Sequence, residues 1–268
     1  MSPQTLTSIT TGDGVRIAYR FDGEPDKPVL LLSNSIGTDL HMWDGQVTAL
    51  TEHFRLLRYD ARGHGASDAP AGPYSLDRLG RDVVELLDAL GLPRVHVLGL
   101  SLGGFVAQWL GIHQPERVDR LVLSNTAAYL GPPQQWDRPI ADLLAAPDMR
   151  ATAETFLHIW FPDHMLHDGN EVVEGFRRTL LATRREGVAG SWAAVRDADL
   201  RRTASLIRNP TLVVAGEHDT VTSAAHGKEI ASIIPGARYV VLPAVHMANV
   251  ERQAEFLDAV VPFLAGPA

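Results

Sequence analysis

Short apolar runs of strand length recur along this chain, separated by segments whose apolar residues fall three and four apart, and that alternation admits few architectures. The runs are Val29-Leu30-Leu31-Leu32, residues 54–59, Val95-His96-Val97-Leu98 and residues 121–123, 212–215 and 239–242. They are continuously apolar, as strands buried on both faces must be. Helical stretches lie between most of them, such as Leu79, Val83, Leu86, Leu87 and Leu90, which Gly91 and Pro93 terminate. Ahead of them, residues 6–19 read as an antiparallel hairpin turning at Thr11-Gly12-Asp13-Gly14. The expected fold class is α/β, a mostly parallel twisted sheet with helices on both faces.

The alternation breaks between about residues 126 and 203. Helical patterns cover 136–145, 152–161 and 171–183, and three of the five tryptophans fall here: Trp136, Trp160 and Trp192. An insert of this kind is expected to cap the C-terminal ends of the strands, where open α/β sheets bind ligands. Residues 1–125 and 204–268 then form the core and 126–203 the helical cap. Trp160 and Trp192 are expected only to pack the cap.

Gly99-Leu100-Ser101-Leu102-Gly103 matches G-x-S-x-G. The pattern alone is common, but here it follows a strand and precedes a helical segment at 105–110, the setting of a nucleophile elbow in α/β-hydrolases. A sharp turn would hold the Ser101 hydroxyl beyond the sheet, and side chains at Gly99 or Gly103 would strike neighbouring backbone. The hydroxyl needs a base. Of eleven histidines, His246 lies between the last strand and the final helix at 254–264, on the same sheet edge as Ser101. His53, His96, His113, His158 and His226 read as surface or core residues, and His64 as a loop-shaping one. The histidine in turn needs a carboxylate. Asp219, in Gly216-Glu217-His218-Asp219, follows the strand at 212–215; Glu217 is too near the strand, and Ser124-Asn125-Thr126 offers no acid after the preceding strand. The order Ser, Asp, His is that of the fold. Backbone N–H groups of Leu102 and of Ile36, in Ser33-Asn34-Ser35-Ile36-Gly37, are the expected oxyanion donors.

A formal charge of −8 argues against nucleic acid or an anionic membrane as partner, though a pocket's local field can still favour a small anion. The absence of cysteine removes thiol chemistry and thiolate metal sites. Residues 1–11 show neither a basic start nor an apolar stretch, and no apolar run approaches a membrane span, so a soluble, cytoplasmic protein is expected. Asp163, His164, His167 and Asp168 cluster, but read as a polar loop without further ligands. The oligomeric state is left open.

With these residues placed, the chain resembles the 3-oxoadipate enol-lactonases of aromatic catabolism over nearly its full length. The resemblance is carried by residues 32–38 and 41–43, by Arg58-Tyr59-Asp60-Ala61-Arg62-Gly63-His64-Gly65, by residues 99–104, 108–113 and 125–128, and by Trp136-Asp137-Arg138-Pro139-Ile140 and residues 196–200 of the cap. The Asn34-Ser35 pair, where many hydrolases of this fold carry His-Gly, and the cap segments are its more specific parts. Leu102, where the family often has Met, and Ser223-Ala224-Ala225, where a Pro-containing turn is common, depart from it. The resemblance implies opening of a five-membered enol-lactone bearing an acetate arm, in the beta-ketoadipate pathway, with no metal or organic cofactor. A small anionic lactone wants a cation, since a buried carboxylate is costly unless paired. Arg138 is the expected partner and the Trp136 ring the expected cover of the lactone, with a solvated role for Arg138 left open.

Other serine hydrolases of the same fold are the rivals: a carboxylesterase, a C–C bond hydrolase or a cofactor-free haloperoxidase. A slow-turnover ligand receptor is a rival from another class. Dehalogenases and epoxide hydrolases require Asp where Ser101 stands.

Overall fold

The computed structural model describes residues 6–167 and 169–266. Eight strands form one sheet: β1 (Thr7–Thr10), β2 (Arg16–Asp22), β3 (Val29–Ser33), β4 (Arg55–Tyr59), β5 (Val95–Leu100), β6 (Val118–Ser124), β7 (Thr211–Gly216) and β8 (Arg238–Leu242). Their spatial order is β1-β2-β4-β3-β5-β6-β7-β8. The hairpin β1–β2 joins antiparallel at one edge, and every pairing from β4 to β8 is parallel. Parallel strands point their C-terminal ends to one rim, so the turns after β3, β5, β6, β7 and β8 share it. Burial follows the hydrophobic runs: β7 is buried throughout, and Leu30, Leu31 and Leu32 of β3 are sealed from solvent.

Among the described residues the α-helices are α1 (Asp44–Thr51), α2 (Leu76–Ala89), α3 (Leu102–His113), α4 (Gln134–Ala145), α5 (Arg150–Trp160), α6 (Glu171–Ala182), α7 (Arg185–Asp197), α8 (Ala224–Ile233), α9 (Ala248–Glu251) and α10 (Gln253–Ala265). Helix α2 shows how local signals set bounds. The Ser75 hydroxyl accepts the Arg78 N–H at its start, Leu79, Val83, Leu86 and Leu87 face inward, and Gly91 takes φ +63° just beyond its end. Helix α3 is different. It begins directly at the rim after β5 and is buried from Leu102 to Gly111, which is why its sequence is apolar all round.

Helices α4 to α7 lie between β6 and β7. A bridge between Tyr129 and Asp199 and the Leu200 N–H bond to the Ala128 carbonyl close the neck of this insert. It packs onto the rim at several points. The Met247 N–H donates to the Trp160 carbonyl at 3.2 Å, and Tyr74 N–H donates to the Gly190 carbonyl. Gly37 presses against Leu180, Phe156 and Trp160, while Gly63 meets Gly187 backbone to backbone.

Two buried ion networks brace the loops below the insert. Arg58, 1% exposed, donates to Asp22, to Asp44 and to the Leu40 carbonyl. Arg62 holds Asp82 through two bonds and reaches Asp13. Removing one member of such a set strands its partner's charge in low dielectric.

A methyl group at Gly103 would overlap the Ser33 carbonyl of β3, so α3 and β3 approach at backbone distance. Gly103→Ala is expected to lower the unfolding free energy by about 1–3 kcal/mol, read as a fall in the urea midpoint. An unchanged midpoint would mean that α3 can retreat from β3 at no cost.

Candidate active site

Ser101 occupies the turn between β5 and α3 with φ 59° and ψ −117°. Besides Asn125, it is the one non-glycine residue at positive φ among the described residues, and such a conformation persists only where its surroundings impose it. Here they do. A Cβ at Gly99 would overlap the Gly103 carbonyl, and the Ser101 N–H donates to the Ser124 carbonyl at 3.0 Å. The Ser101 carbonyl accepts from Thr126 Oγ1 at 2.8 Å and from the Gly104 N–H at 2.9 Å. The N-terminus of α3 adds a positive dipole end beneath the hydroxyl.

Asp219 lies three residues beyond β7 and His246 four residues beyond β8, on the rim that carries Ser101. The His246 Nδ1 and Asp219 Oδ2 are 2.8 Å apart, with both side chains buried. The carboxylate fixes Nδ1 as the protonated nitrogen, which leaves Nε2 as the basic one. Burial alone would raise the Asp219 carboxyl. The adjoining His246 charge and hydrogen bonds from His246, Asn125 and Thr222 outweigh it and hold the group well below the usual carboxylate range. Glu217, the competing acid, is exposed, as is His218 beside it.

The loop after β3 is bolted to the serine turn: the Gly103 N–H donates to the Asn34 carbonyl at 3.0 Å. Asn34 is itself locked, donating to the Tyr59 carbonyl and accepting from the Trp43 indole N–H. Ile36 and Leu102, 7% and 3% exposed, thus sit on two segments held face to face. Neither backbone N–H is used elsewhere among the described residues. Two free amides on abutting segments of the rim can receive a developing oxyanion.

The insert supplies a ladder of rings over this rim. Trp136 neighbours Trp192 at 6.4 Å, Trp192 neighbours Phe156 at 6.0 Å, and Phe156 stacks on Trp160 at 4.9 Å. Trp136 is half-buried, its indole N–H bonded to the Leu130 carbonyl at 2.7 Å. Arg138 corrects the sequence expectation. Its side chain is 89% exposed and pairs with Asp142 on its own helix. Helical geometry explains this: Trp136, Ile140 and Leu143 fall on the inner face, and a residue two positions from Trp136 is turned about 200° away. Arg138 therefore faces solvent rather than the space under the insert.

Sequence reasoning passed over Thr222 and Asn125. Thr222 Oγ1 donates to Asp219 Oδ2 at 2.8 Å, while the N–H groups of Val221 and Thr222 both reach Oδ1 at 2.9 Å. An aspartate closing a turn over the next three residues is a legible signal. Asn125 was set aside because it carries no charge. Asp163, His164 and His167 lie in an exposed segment, and Asp168 falls outside the described residues. A cavity of about 510 Å³ opens between α1 and α6, lined by Met42, Phe176 and Arg178 among others, but it contains none of Ser101, Asp219 or His246.

The alpha/beta hydrolase fold family matches residues 28–253. The chain is 39% identical over 93% of both chains to 3-oxoadipate enol-lactonase 2 of Acinetobacter baylyi. It superposes on the enol-lactonase of Burkholderia xenovorans LB400 with a TM-score of 0.93 and 41% identity, covering 96% of this chain and 99% of that one. A hydrolase of Pseudomonas aeruginosa PA01 gives a TM-score of 0.96 and 60% identity, with 97% and 98% covered.

Apart from His246, His64 is the one buried histidine. Its Nδ1 faces the Arg62 carbonyl at 3.1 Å, its Nε2 lacks a partner, and burial pushes the imidazole down to about 4. The unfolded chain takes up this proton near pH 6.5 and the folded chain only near 4, so the stability His64 confers is present above 6.5 and lost as pH falls toward 4. Asp60, raised by burial to about 6, runs the opposite way over much of the same window. The readout is therefore the stability gap between wild type and His64→Gln, expected to narrow by about 3 kcal/mol from pH 7 to pH 4. A gap independent of pH would contradict it.

Proposed function

The chain belongs to the α/β-hydrolase family, and within it we propose that it opens 3-oxoadipate enol-lactone to 3-oxoadipate by acyl transfer through Ser101. The observation that carries the reaction class is the buried Asp219–His246 pair on the rim that holds Ser101 in its strained turn. The substrate rests on the enol-lactonase relatives. Ser101 Oγ attacks the ring carbonyl while His246 Nε2 takes its proton, and the amides of Ile36 and Leu102 receive the oxyanion. The ring C–O bond then breaks as the His246 imidazolium returns its proton to the departing oxygen, which leaves as an enol, a better leaving group than an alkoxide. His246 next draws a proton from water, whose oxygen attacks the acyl carbon and releases the product. Trp136, half-buried at the end of the ladder of rings, is assigned to cover the lactone ring.

The chemistry needs no cofactor, and hydrolysis of a soluble small molecule suits a cytoplasmic protein. A carboxylesterase, a C–C bond hydrolase or a haloperoxidase would use the same centre, so substrate is the deciding measurement. Purified protein added to enol-lactone is expected to abolish its ultraviolet absorbance rapidly, and Ser101→Ala to stop this. Fast turnover of simple esters with none of the lactone would select the esterase. Ligand-dependent stabilisation with negligible turnover would select a receptor.

Arg138→Ala is expected to leave kcat and KM for the lactone within about two-fold of wild type, since surface changes away from a site alter energies by roughly 0.5 kcal/mol or less. A KM raised ten-fold would return this arginine to the site.

A further inference from the structure

The rim holds a second non-glycine residue at positive φ. Asn125, φ 43° and 1% exposed, directly follows β6, between the strand that leads to Ser101 and the strand that leads to Asp219. Its amide has one consistent orientation. The Ser124 hydroxyl donates to Oδ1 at 2.9 Å, while Nδ2 faces two groups that can only accept: Asp219 Oδ2 at 3.0 Å and the Val245 carbonyl at 3.1 Å. The Val245 carbonyl belongs to the peptide that leads into His246. One NH₂ therefore grips the acid with one hydrogen and the loop of the base with the other.

The serine turn is tied to the same short segment. Ser101 N–H bonds to the Ser124 carbonyl and the Thr126 hydroxyl to the Ser101 carbonyl, while the Asn125 N–H itself bonds to Val214 of β7. Gly216 leaves the room required, because a Cβ there would stand 2.5 Å from the Val245 carbonyl and 2.9 Å from Asn125 Nδ2. Carbonyl, carboxylate and hydroxyl could be satisfied by water on an open rim. Here a strained, buried side chain spans three separate turns instead.

We infer that Asn125 is the positioning residue of the reaction centre: its neutral amide locks the Asp219 and His246 loops to each other and to the segment that holds Ser101. The inference rests on the acyl-transfer reading above. The residue type follows from the charge it meets. An aspartate at this place would set a second carboxylate about 3 Å from the first and against a carbonyl oxygen, where two anions cannot both stay ionised without cost. Asparagine is nearly the same size, tolerates the left-handed conformation and donates two hydrogens.

The titratable groups on the loops packed against Asn125 are Glu217, His218 and Asp219 after β7 and His246 and Glu251 after β8. Glu251 accepts the Val245 N–H at 2.7 Å. None belongs to the Ser101 turn.

The test is the pH profile of Ser101 phosphonylation by a fluorophosphonate probe, which reports the activated hydroxyl whatever the natural substrate is. Asn125→Gly keeps the backbone conformation and removes the amide; it is expected to slow labelling about 10- to 100-fold, with lactone kcat reduced to match and KM unchanged. Asn125→Asp keeps shape and is expected to move the acid limb of the profile up by about one pH unit, because a further negative charge favours the imidazolium. Should Asn125→Gly not fold, Asn125→Asp carries the test by itself. Wild-type labelling rates and an unshifted midpoint in the folded variants would overturn the inference. Normal labelling of the wild type with no lactone turnover would overturn the substrate reading alone.

Discussion

The structure turns on the place where α3 meets the end of β3 at backbone distance. There the Gly103 N–H bonds to the Asn34 carbonyl, and no side chain separates the two segments. Without this contact, the loop of Ile36 and the turn of Ser101 would be independent surface features. With it, two free amides and a strained serine share one small volume. The glycines on either side of Ser101 are therefore steric necessities, and the cost of the serine's conformation is met by the packing of α3 along its whole length.

Electrostatics follow from the same rim. Asp219 is buried, and burial opposes its charge, yet it receives donors from Asn125, Val221, Thr222 and His246. These bonds keep it ionised where solvent cannot. Asp60, also buried, accepts only the Leu40 and Ala66 N–H groups and rises to about 6. The contrast between two carboxylates in one molecule shows how the number of donors sets charge state.

Much of this was legible in the residues. The strand runs rest on a local pattern, and the eight-stranded sheet agrees with them; Ser101, Asp219 and His246 follow β5, β7 and β8 on one rim of it. Helix α7 is harder to read, because its small residues thin the apolar stripe to Val188, Trp192 and Val195; Gly187 and Gly190 are small because they lie against Gly63 and Tyr74. Arg138 neighbours Trp136 in sequence but not in space, because two steps along a helix cross to its far side. Asn125 reads from sequence only as a place without an acid, because its role depends on two loops about 90 and 120 residues away, a relation that no local pattern encodes.

The single bond from Met247 to the Trp160 carbonyl has a consequence for how such proteins diverge. It ties the loop that bears the imidazole to the last turn of α5, so the helical layer bears on where His246 stands as well as covering the rim. Exchanging that layer between relatives would transplant intact only when the donor carries a carbonyl at the same height and an aromatic flank to seat it. A layer without such a carbonyl would leave the Met247 N–H, next to His246, without its acceptor even if the Tyr74–Gly190 bond and the Gly63–Gly187 contact were kept.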